Sequence, residues 1–385
     1  MRIYSHLNSA TAAIQLYNGD MPFARWVKNY FKQNNKYGSR DRKVIAGLCY
    51  TYYRLGKAWH TKSLKEKIIL AQFLCQSDSS FVQIFKPEWS YAVHFSLKDK
   101  IEFLKPQFSV QDIFPWKDKL SPQIEHDAFC ISFFVQPLLY LRLRPGKEPI
   151  VQNKLKEAGV DFNLESENSL ALPNATKVED FLKIDDEIVI QDLNSQRAMD
   201  LLQAQILNKK NISTVWDCCA ASGGKSILFY DTFPHVEITV SDVRKSILQN
   251  LHERFQKAGI NHYQSFVANL AAPDFSFNKK FDVVICDAPC TGSGTWSRTP
   301  EQLYFFDIQK IKFYNDLQKP ISLNAAKAIK KGGYFLYITC SVFRQENEDV
   351  VKFIEEHTSL TLLSQTYLKG YEAKADTLFT ALFQL

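Results

Sequence analysis

From about residue 196 onward, short apolar segments alternate with longer segments that have helical periodicity. The apolar segments are rich in β-branched and aromatic residues, and they cover residues 213–218, 236–241, 281–286 and 333–339. The helical segments cover residues 244–258, 301–331 and 345–357. Because parallel strands need a crossover connection, this alternation predicts an α/β fold with a mostly parallel sheet covered on both faces. Two more strand-like segments at the C-terminus predict an antiparallel hairpin at the sheet edge.

The chain before residue 196 has a different character. Its first 130 residues carry apolar residues at three- and four-residue spacing with few Gly and Pro, which predicts helices. Residues 137–195 combine an alternating strand, a helix closed by Gly159 and two short strands, which predicts a small α+β module. We therefore predict three domains. They are a helical domain over residues 1–132, the α+β module over residues 133–195 and the α/β domain over residues 196–385.

Composition excludes several classes of protein. With 14 Gly and 14 Pro in 385 residues and 45% hydrophobic residues, the chain is neither collagen-like nor disordered. No apolar run approaches the roughly 18 residues of a transmembrane helix, and we expect neither a secretory signal nor a membrane partner. The eight cysteines show no CxxC or Cys/His spacing. We therefore expect free thiols, no metal and a cytoplasmic location.

Positive charge is concentrated near the N-terminus. Residues 1–67 hold 13 Lys and Arg against three acidic residues, a local balance of 13 − 3 = +10, although the whole chain carries +6. Ser39 is predicted to cap a helix whose first turn contains Arg40, Arg42 and Lys43. Clustered cations of this kind favour a polyanion such as RNA, but on charge alone a solvated lysine-rich surface is an equal alternative.

Two features of the α/β region indicate a ligand site. Residues 217–226, DCCAASGGKS, leave a predicted strand, turn at Gly223 and Gly224 and enter a helix, where backbone N–H groups can approach a ligand. The spacing fits neither a Walker A loop nor GxGxxG, and a glycine turn needed only for packing would look the same. Asp242 ends the next strand, where doubly wound folds bind ribose hydroxyl groups.

Two cysteines follow later strands of the same sheet. Asp287 and Cys290 lie in FDVVICDAPCTGSGTW, residues 281–296, and Cys340 lies in GGYFLYITCSVFRQENEDVV, residues 332–351. A lone cysteine is more often an inert packing residue than a nucleophile. Two thiols at the carboxyl ends of neighbouring strands, without metal-ligand partners, favour a reactive pair.

These segments resemble the S-adenosylmethionine site, the Pro-Cys motif and the Thr-Cys-Ser motif of the RsmB/NOP (Fmu/Sun) family of RNA 5-methylcytosine methyltransferases. The resemblance covers residues 137–385, and residues 38–55 more loosely resemble the NusB-like RNA-binding domain of bacterial rRNA members. It implies a Rossmann-like class I methyltransferase domain, preceded by a helical NusB-like domain and a small RRM-like α+β module.

The resemblance assigns roles to the matching residues. Cys340 would be the nucleophile and Cys290 the group that releases the product, with Asp287 and Lys225 beside the target base. The residues expected to hold S-adenosylmethionine are Cys219, Ala220, Ala221, Ser222, Gly223, Gly224, Lys225, Asp242, Asn269 and Asp287. The residues expected to contact RNA are Arg40, Arg42, Lys43, Arg142, Arg144 and Arg298. Ser222 and Asn269 depart from the proline and aspartate usual in the family.

The implied function is methylation of carbon 5 of cytosine in RNA, with rRNA as the expected substrate and a monomeric enzyme. A thiolate that adds to carbon 6 of cytosine makes carbon 5 nucleophilic enough to accept the methyl group. One alternative is a tRNA substrate. Another is a non-catalytic RNA-binding or ribosome-assembly factor that retains the cofactor pocket. A nicotinamide-dependent oxidoreductase is disfavoured because the GxGxxG turn is missing.

Overall fold

The structure is a computed structural model that describes residues 2–77, 80–105, 107–206 and 212–385. It divides into two compact units: residues 1–120, 124–136 and 296–307 form the helical unit, and residues 121–123, 137–295 and 308–385 form the sheet unit. In the described ranges, no helix is both long enough and apolar enough to cross a bilayer.

The helices, in chain order, are α1 (Arg2–Leu16), α2 (Phe23–Gln33), α3 (Ser39–Tyr53), α4 (Leu64–Cys75), α5 (Ser80–Phe85), α6 (Leu97–Leu104), α7 (His126–Ser132), α8 (Glu148–Glu157), α9 (Leu193–Gln196), α10 (Asp200–Ile206), α11 (Gly224–Thr232), α12 (Lys245–Lys257), α13 (Pro300–Tyr304), α14 (Gln309–Ala326) and α15 (Glu348–His357). The strands are β1 (Leu139–Leu143), β2 (Asn163–Ser166), β3 (Ser169–Leu172), β4 (Ile188–Ile190), β5 (Thr214–Asp217), β6 (Glu237–Asp242), β7 (Tyr263–Val267), β8 (Phe281–Asp287), β9 (Ile329–Thr339), β10 (Thr361–Leu368) and β11 (Leu378–Gln384).

The helical unit packs α1 to α7 and α13 around an aromatic core. In α3, Ile45, Leu48, Cys49 and Tyr52 are buried, as their spacing predicts. The prediction that Ser39 caps α3 is wrong. The helix begins at Ser39, and the preceding backbone N–H, that of Gly38, donates to the Asp41 carboxylate at 3.3 Å.

The larger sheet of the sheet unit confirms the predicted α/β class. Its seven strands follow the order β7-β6-β5-β8-β9-β11-β10, and β11 runs antiparallel to both neighbours. The remaining pairs are parallel, so the C-terminal hairpin is added to a parallel sheet as expected. The single helix predicted over residues 301–331 is wrong: α13 and α14 are separate helices, and β9 already begins at Ile329.

The smaller sheet has the order β2-β3-β1-β4, and all its pairs are antiparallel. Leu141 and Leu143 of β1 and Val151 and Leu155 of α8 form its core. Residues 137–195 belong to the same compact unit as the large sheet, and residues 296–307 belong to the helical unit. The division into three domains therefore stays a prediction.

Candidate active site

The predicted site residues meet where the large sheet reverses its strand order. From β5 the chain continues to β6 and β7 on one side, and from β8 it continues to β9 on the other. Asp217, Asp242 and Asp287 end β5, β6 and β8, and Cys340 directly follows β9. Open α/β sheets bind ligands in the crevice at such a reversal, beyond the carboxyl ends of the strands.

The turn after β5 has a backbone that its sequence permits. Gly223 has φ +82°, and a Cβ atom there would come within 2.8 Å of the Phe255 ring. Glycine is therefore required both by the left-handed backbone and by the packing of α12. Ala221 also has a positive φ of 46°, which costs energy for a residue with a Cβ atom. Such strain is concentrated at ligand sites.

This turn borders a cavity of about 310 Å³. Its walls include residues of the turn and of three strand ends: Asp217, Ala220, Ala221, Ser222, Lys225, Asp287 and Asp376. Asp217 accepts a hydrogen bond from the Ser226 hydroxyl at 2.6 Å, whereas its other carboxylate oxygen has no partner among the described residues. Burial raises the pKa of Asp217 to about 7, although the Ser226 hydrogen bond acts in the opposite direction.

Lys225 and Asp287 form an ion pair in this cavity, with the Lys225 amino group 2.7 Å from the carboxylate. The side chains are 14% and 30% exposed, so the pair is neither fully buried nor freely solvated. Burial alone would lower the pKa of Lys225, but the charge of Asp287 raises it above its usual value. Lys225 is therefore charged, and the pair can orient a polar ligand.

Asp242 is already surrounded by donors. One oxygen accepts from the backbone N–H of Ala221 at 3.0 Å, and the other accepts from the backbone N–H of Arg244 at 2.9 Å. The Arg244 guanidinium adds bonds of 3.0 and 3.2 Å. Burial would raise the pKa of Asp242, but these donors hold it below its usual value. A ribose would have to share or displace the Arg244 side chain.

Cys290 and Cys340 lie in contact, with their sulfur atoms 3.3 Å apart. Gly294 lets the loop after Cys290 approach the backbone of Cys340 and Thr377, because a Cβ atom at Gly294 would be 2.0 Å from the Thr377 carbonyl oxygen and 3.0 Å from that of Cys340. The Gly294 N–H donates to the Cys340 carbonyl at 2.8 Å and joins the two loops. The geometry provides two half-buried thiols at the mouth of neighbouring strands.

The pKa of the Cys290 thiol is shifted upward. The hydrogen bond to Cys340, burial and the negative charge of Glu346 together raise the pKa of Cys290 well above its usual value. Cys290 therefore keeps its proton and can donate it to the sulfur of Cys340.

Comparison with known proteins agrees with this geometry. Residues 204–380 match the family described as 16S rRNA methyltransferase RsmB/F. The probable ribosomal RNA small subunit methyltransferase B of Bacillus subtilis (strain 168) is 33% identical over 175 residues, which cover 44% of this chain and 38% of that protein. The corresponding protein of Yersinia enterocolitica is 28% identical over 178 residues, which cover 46% of this chain and 40% of that protein.

Residues 204–380, which form most of the sheet unit, are therefore similar to the RsmB/F methyltransferase family. The matched segment spans about two fifths of the length of these curated relatives.

Solved structures confirm the fold. The crystal structure of PH0851 aligns with a TM-score of 0.71 at 20% identity and covers 99% of this chain and 98% of that one. The structure of NSun6 from Pyrococcus horikoshii with SFG aligns with a TM-score of 0.55 at 16% identity and covers 65% of this chain and 91% of that one.

Not all residues predicted for this site are brought to the cavity. Asn269 is exposed beyond the end of β7, where its side-chain oxygen accepts from the Ala271 N–H at 3.1 Å. Arg298 lies in the segment that belongs to the helical unit. Arg40 and Lys43 are exposed on α3, and Arg42 is half-buried with its Nε–H donating to the Tyr37 carbonyl at 2.9 Å.

The prediction that Arg142 and Arg144 contact RNA requires a correction. They are only 2% and 8% exposed, and both guanidinium groups bind the Asp231 carboxylate of α11. Arg142 also donates to Gln191 at 2.8 Å, and Arg144 donates to the Ala258 carbonyl at 2.9 Å. Because these groups are buried and occupied by protein partners, we assign both arginines to the interior of the sheet unit.

Sequence reasoning missed two residues that support the candidate site, Arg254 and Glu346. The Arg254 guanidinium donates to the carbonyl and hydroxyl oxygens of Ser222 at 3.1 Å each, and it also pairs with Asp185 at 2.8 Å. Ser222, where the resembled family usually has proline, is therefore fixed by a hydrogen bond from Arg254 to its hydroxyl group. Glu346 is fully buried and accepts the Thr291 N–H at 2.9 Å, one residue after Cys290. In the sequence, only the position of Glu346 in the segment RQENE, shortly after Cys340, pointed to this residue.

Proposed function

We propose that this protein transfers a methyl group from S-adenosylmethionine to carbon 5 of a cytosine in RNA, with rRNA as the substrate class. The observation that carries the proposal is the pair of sulfur atoms, Cys290 and Cys340, 3.3 Å apart beside the cavity that holds Lys225 and Asp287. Two thiols at this distance support covalent catalysis at a pyrimidine, since one can attack while the other holds a proton.

The residues of the cavity suit the proposed cofactor. The unpartnered oxygen of Asp217 is an acceptor for the ammonium group at the amino-acid end. Asp242 does not line the cavity itself, but it binds the N–H of Ala221, which does, and its carboxylate is an acceptor for ribose hydroxyl groups. The turn from Ala220 to Gly223 brings the backbone close enough to enclose the same end. The bound sulfonium supplies the methyl group and takes the electron pair of the broken sulfur–carbon bond.

The proposed chemistry begins with Cys340. Its thiolate forms a bond to carbon 6 of the cytosine, and the electrons of the 5,6 double bond become available at carbon 5. Asp287, held by Lys225 at 2.7 Å, can accept a hydrogen bond from the cytosine amino group and so orient the base as charge develops on it. Carbon 5 then takes the methyl group.

Release of the product needs a second group. The proton on carbon 5 must leave, the 5,6 double bond must form again, and the bond from carbon 6 to the Cys340 sulfur must break. Because Cys290 keeps its own proton, it is the nearest candidate to hold a water molecule that accepts the carbon-5 proton. Glu346 lies behind Cys290 with a pKa raised by burial to about 7, so it can take up a proton near neutral pH.

The proposal is tested by bisulfite sequencing of total RNA from cells with and without the gene, followed by methylation of the identified RNA by the purified protein. The proposal is supported if one cytosine in rRNA resists bisulfite conversion only in cells that have the gene. If that cytosine lies in tRNA, the substrate is tRNA, the alternative. Binding of RNA and S-adenosylmethionine without any new 5-methylcytosine would favour the non-catalytic assembly factor.

The exposed cations of α3 are expected to supply RNA affinity rather than chemistry. Positive charge in the first turn of a helix opposes the helix dipole, so Arg40 and Lys43 do not serve the stability of α3. Replacing Arg40, Arg42 and Lys43 with alanine should weaken RNA binding and reduce the salt slope of log K by about 0.7–0.9 per lost phosphate contact. Filter binding at several salt concentrations measures both quantities.

A matched control removes three exposed lysines of the sheet unit instead, Lys156, Lys177 and Lys352. S-adenosylmethionine affinity should stay unchanged in both triple variants. Equal loss of RNA affinity in the two variants would show that binding depends on total charge and not on α3.

Asp242→Ala is expected to weaken S-adenosylmethionine binding by about 10- to 100-fold, because charged hydrogen bonds contribute roughly 1.5–3 kcal/mol each. Isothermal titration calorimetry measures this, with Asp274→Ala, an exposed acid, as the control. Arg244→Ala tests whether Asp242 itself or its partner Arg244 contacts the ligand. Removing the guanidinium frees Asp242, so affinity should be retained or increase; a loss equal to that of Asp242→Ala would instead assign ligand contact to Arg244.

A further inference from the structure

A cluster of three thiols lies at the start of the cofactor turn, separate from the Cys290–Cys340 pair. It consists of Cys218, Cys219 and Cys286, whose sulfur atoms all lie within 4.8 Å of one another. Cys218 and Cys286 are completely buried, and Cys219 is half-buried. The proposed methyl transfer uses none of these sulfur atoms.

The register of the sheet produces this cluster. Asp217 of β5 lies opposite Ile285 of β8, so the residues that follow them, Cys218 and Cys286, are neighbours on adjacent parallel strands. The Cys218 N–H donates to the Ile285 carbonyl at 2.9 Å and fixes that arrangement. Spacing along the chain does not reveal such a site, because Cys286 lies 67 positions after Cys219.

The environment of these thiols differs from that of an isolated buried cysteine. Burial raises the pKa of Cys130 to about 12, so that thiol is neutral and serves packing. Cys218, Cys219 and Cys286 instead lie so close together that their sulfur atoms can share one ligand.

We propose that Cys218, Cys219 and Cys286 form a binding site for a single thiophilic metal ion of the Zn²⁺ or Cu⁺ class. Thiolate ligands select these soft ions, and zinc–sulfur bonds of about 2.3 Å place three sulfur atoms around one ion roughly 4 Å apart. Binding forms three sulfur–metal bonds and releases the thiol protons to solvent. The half-buried Cys219 provides the route by which the ion enters.

Metal binding should also affect the neighbouring cavity. Cys219 directly precedes Ala220 and the strained Ala221, so an ion bound to its sulfur would fix the first half of the turn. Affinity for S-adenosylmethionine would then change in the presence of the metal, and by linkage metal affinity would change by the same factor in the presence of S-adenosylmethionine. This coupling rests on the proposed function, whereas the metal site does not.

The site is tested with full-length protein carrying Cys290→Ser and Cys340→Ser, which removes the other close thiol pair. The protein is freed of metal and titrated with Zn²⁺ in competition with a chromophoric chelator. We expect one equivalent of tightly bound Zn²⁺, lost in Cys286→Ala and in Cys218→Ala and retained in Cys130→Ala. Circular dichroism checks that each variant is folded.

A second measurement avoids substitutions within the cluster. Zn²⁺ should protect Cys218, Cys219 and Cys286 from alkylation under mild denaturation, as mapped by mass spectrometry, while Cys49 and Cys130 react alike with and without the ion. Zn²⁺ binding by Cys286→Ala and Cys218→Ala as tight as that of Cys130→Ala would overturn the proposal. So would the absence of protection of the three thiols in the protein with its native cluster. Neither result depends on methyltransferase activity.

Discussion

Cys340→Ala is expected to abolish methyl transfer, lowering turnover by at least about 10³-fold, and to form no covalent complex with RNA. Carbon 5 of cytosine does not react with a sulfonium until a nucleophile occupies carbon 6, so no other group can compensate for the missing thiol. Turnover is measured as 5-methylcytosine formed in the RNA identified by bisulfite sequencing. S-adenosylmethionine binding should stay within about threefold, because the cofactor cavity is lined by other residues.

Cys290→Ala should give a different defect at the same site. Addition and methyl transfer need only Cys340 and the methyl donor, whereas release also needs a proton acceptor. We therefore expect RNA to remain attached to the protein through Cys340. The complex would appear as a slowly migrating band on a denaturing gel that disappears after RNase treatment and contains the methylated base.

The pair of variants distinguishes the two thiols from packing residues. An adduct with Cys340→Ala but not with Cys290→Ala would reverse the two roles. Full activity in both would contradict covalent catalysis, although the proposed metal site would be unaffected. The double variant Cys290→Ala/Cys340→Ala should resemble Cys340→Ala, because without Cys340 no adduct forms that could accumulate.

The position of the candidate site could be predicted because it depends on local patterns. Apolar strands ending in Asp217, Asp242, Asp287 and Cys340 place those residues along one edge of a parallel sheet, whichever helices cover it. Glycine at Gly223 is likewise required by the left-handed backbone of a sharp turn. These inferences need only strand period and chain direction.

The partners of the predicted residues could not be deduced in the same way. In β1, Leu141 and Leu143 face the core of the small module, and alternation therefore places Arg142 and Arg144 on the opposite face. That pattern normally indicates a solvent-exposed basic face. Whether a second layer covers it depends on packing between distant segments, here with α11, which strand period does not encode.

The same packing leads to the largest expected effect on stability. Asp231→Ala should destabilise the sheet unit by about 3–5 kcal/mol, because it leaves Arg142 and Arg144 buried without a negative partner. The Asp231 side chain is 6% exposed, and the arginine side chains are 3% and 9% exposed, so water cannot replace the lost carboxylate without opening the interior. Hydrogen exchange of amides in β5 and β8 reports this change for the sheet unit alone.

Asp316→Ala provides the control, since it removes an ion pair with Lys312 whose side chains are 53% and 80% exposed. Exposed pairs of this kind contribute at most about 1 kcal/mol. If Asp231 acts by neutralising charge, replacing Arg142 with methionine in the Asp231→Ala protein should recover part of the lost stability. The reason is that methionine removes one unpaired cation and keeps the apolar volume of the side chain. An Asp231→Ala protein as stable as Asp316→Ala would show that the buried guanidinium groups are satisfied by carbonyl and amide oxygens alone. The arginines would then be free to be reassigned to a role outside the interior.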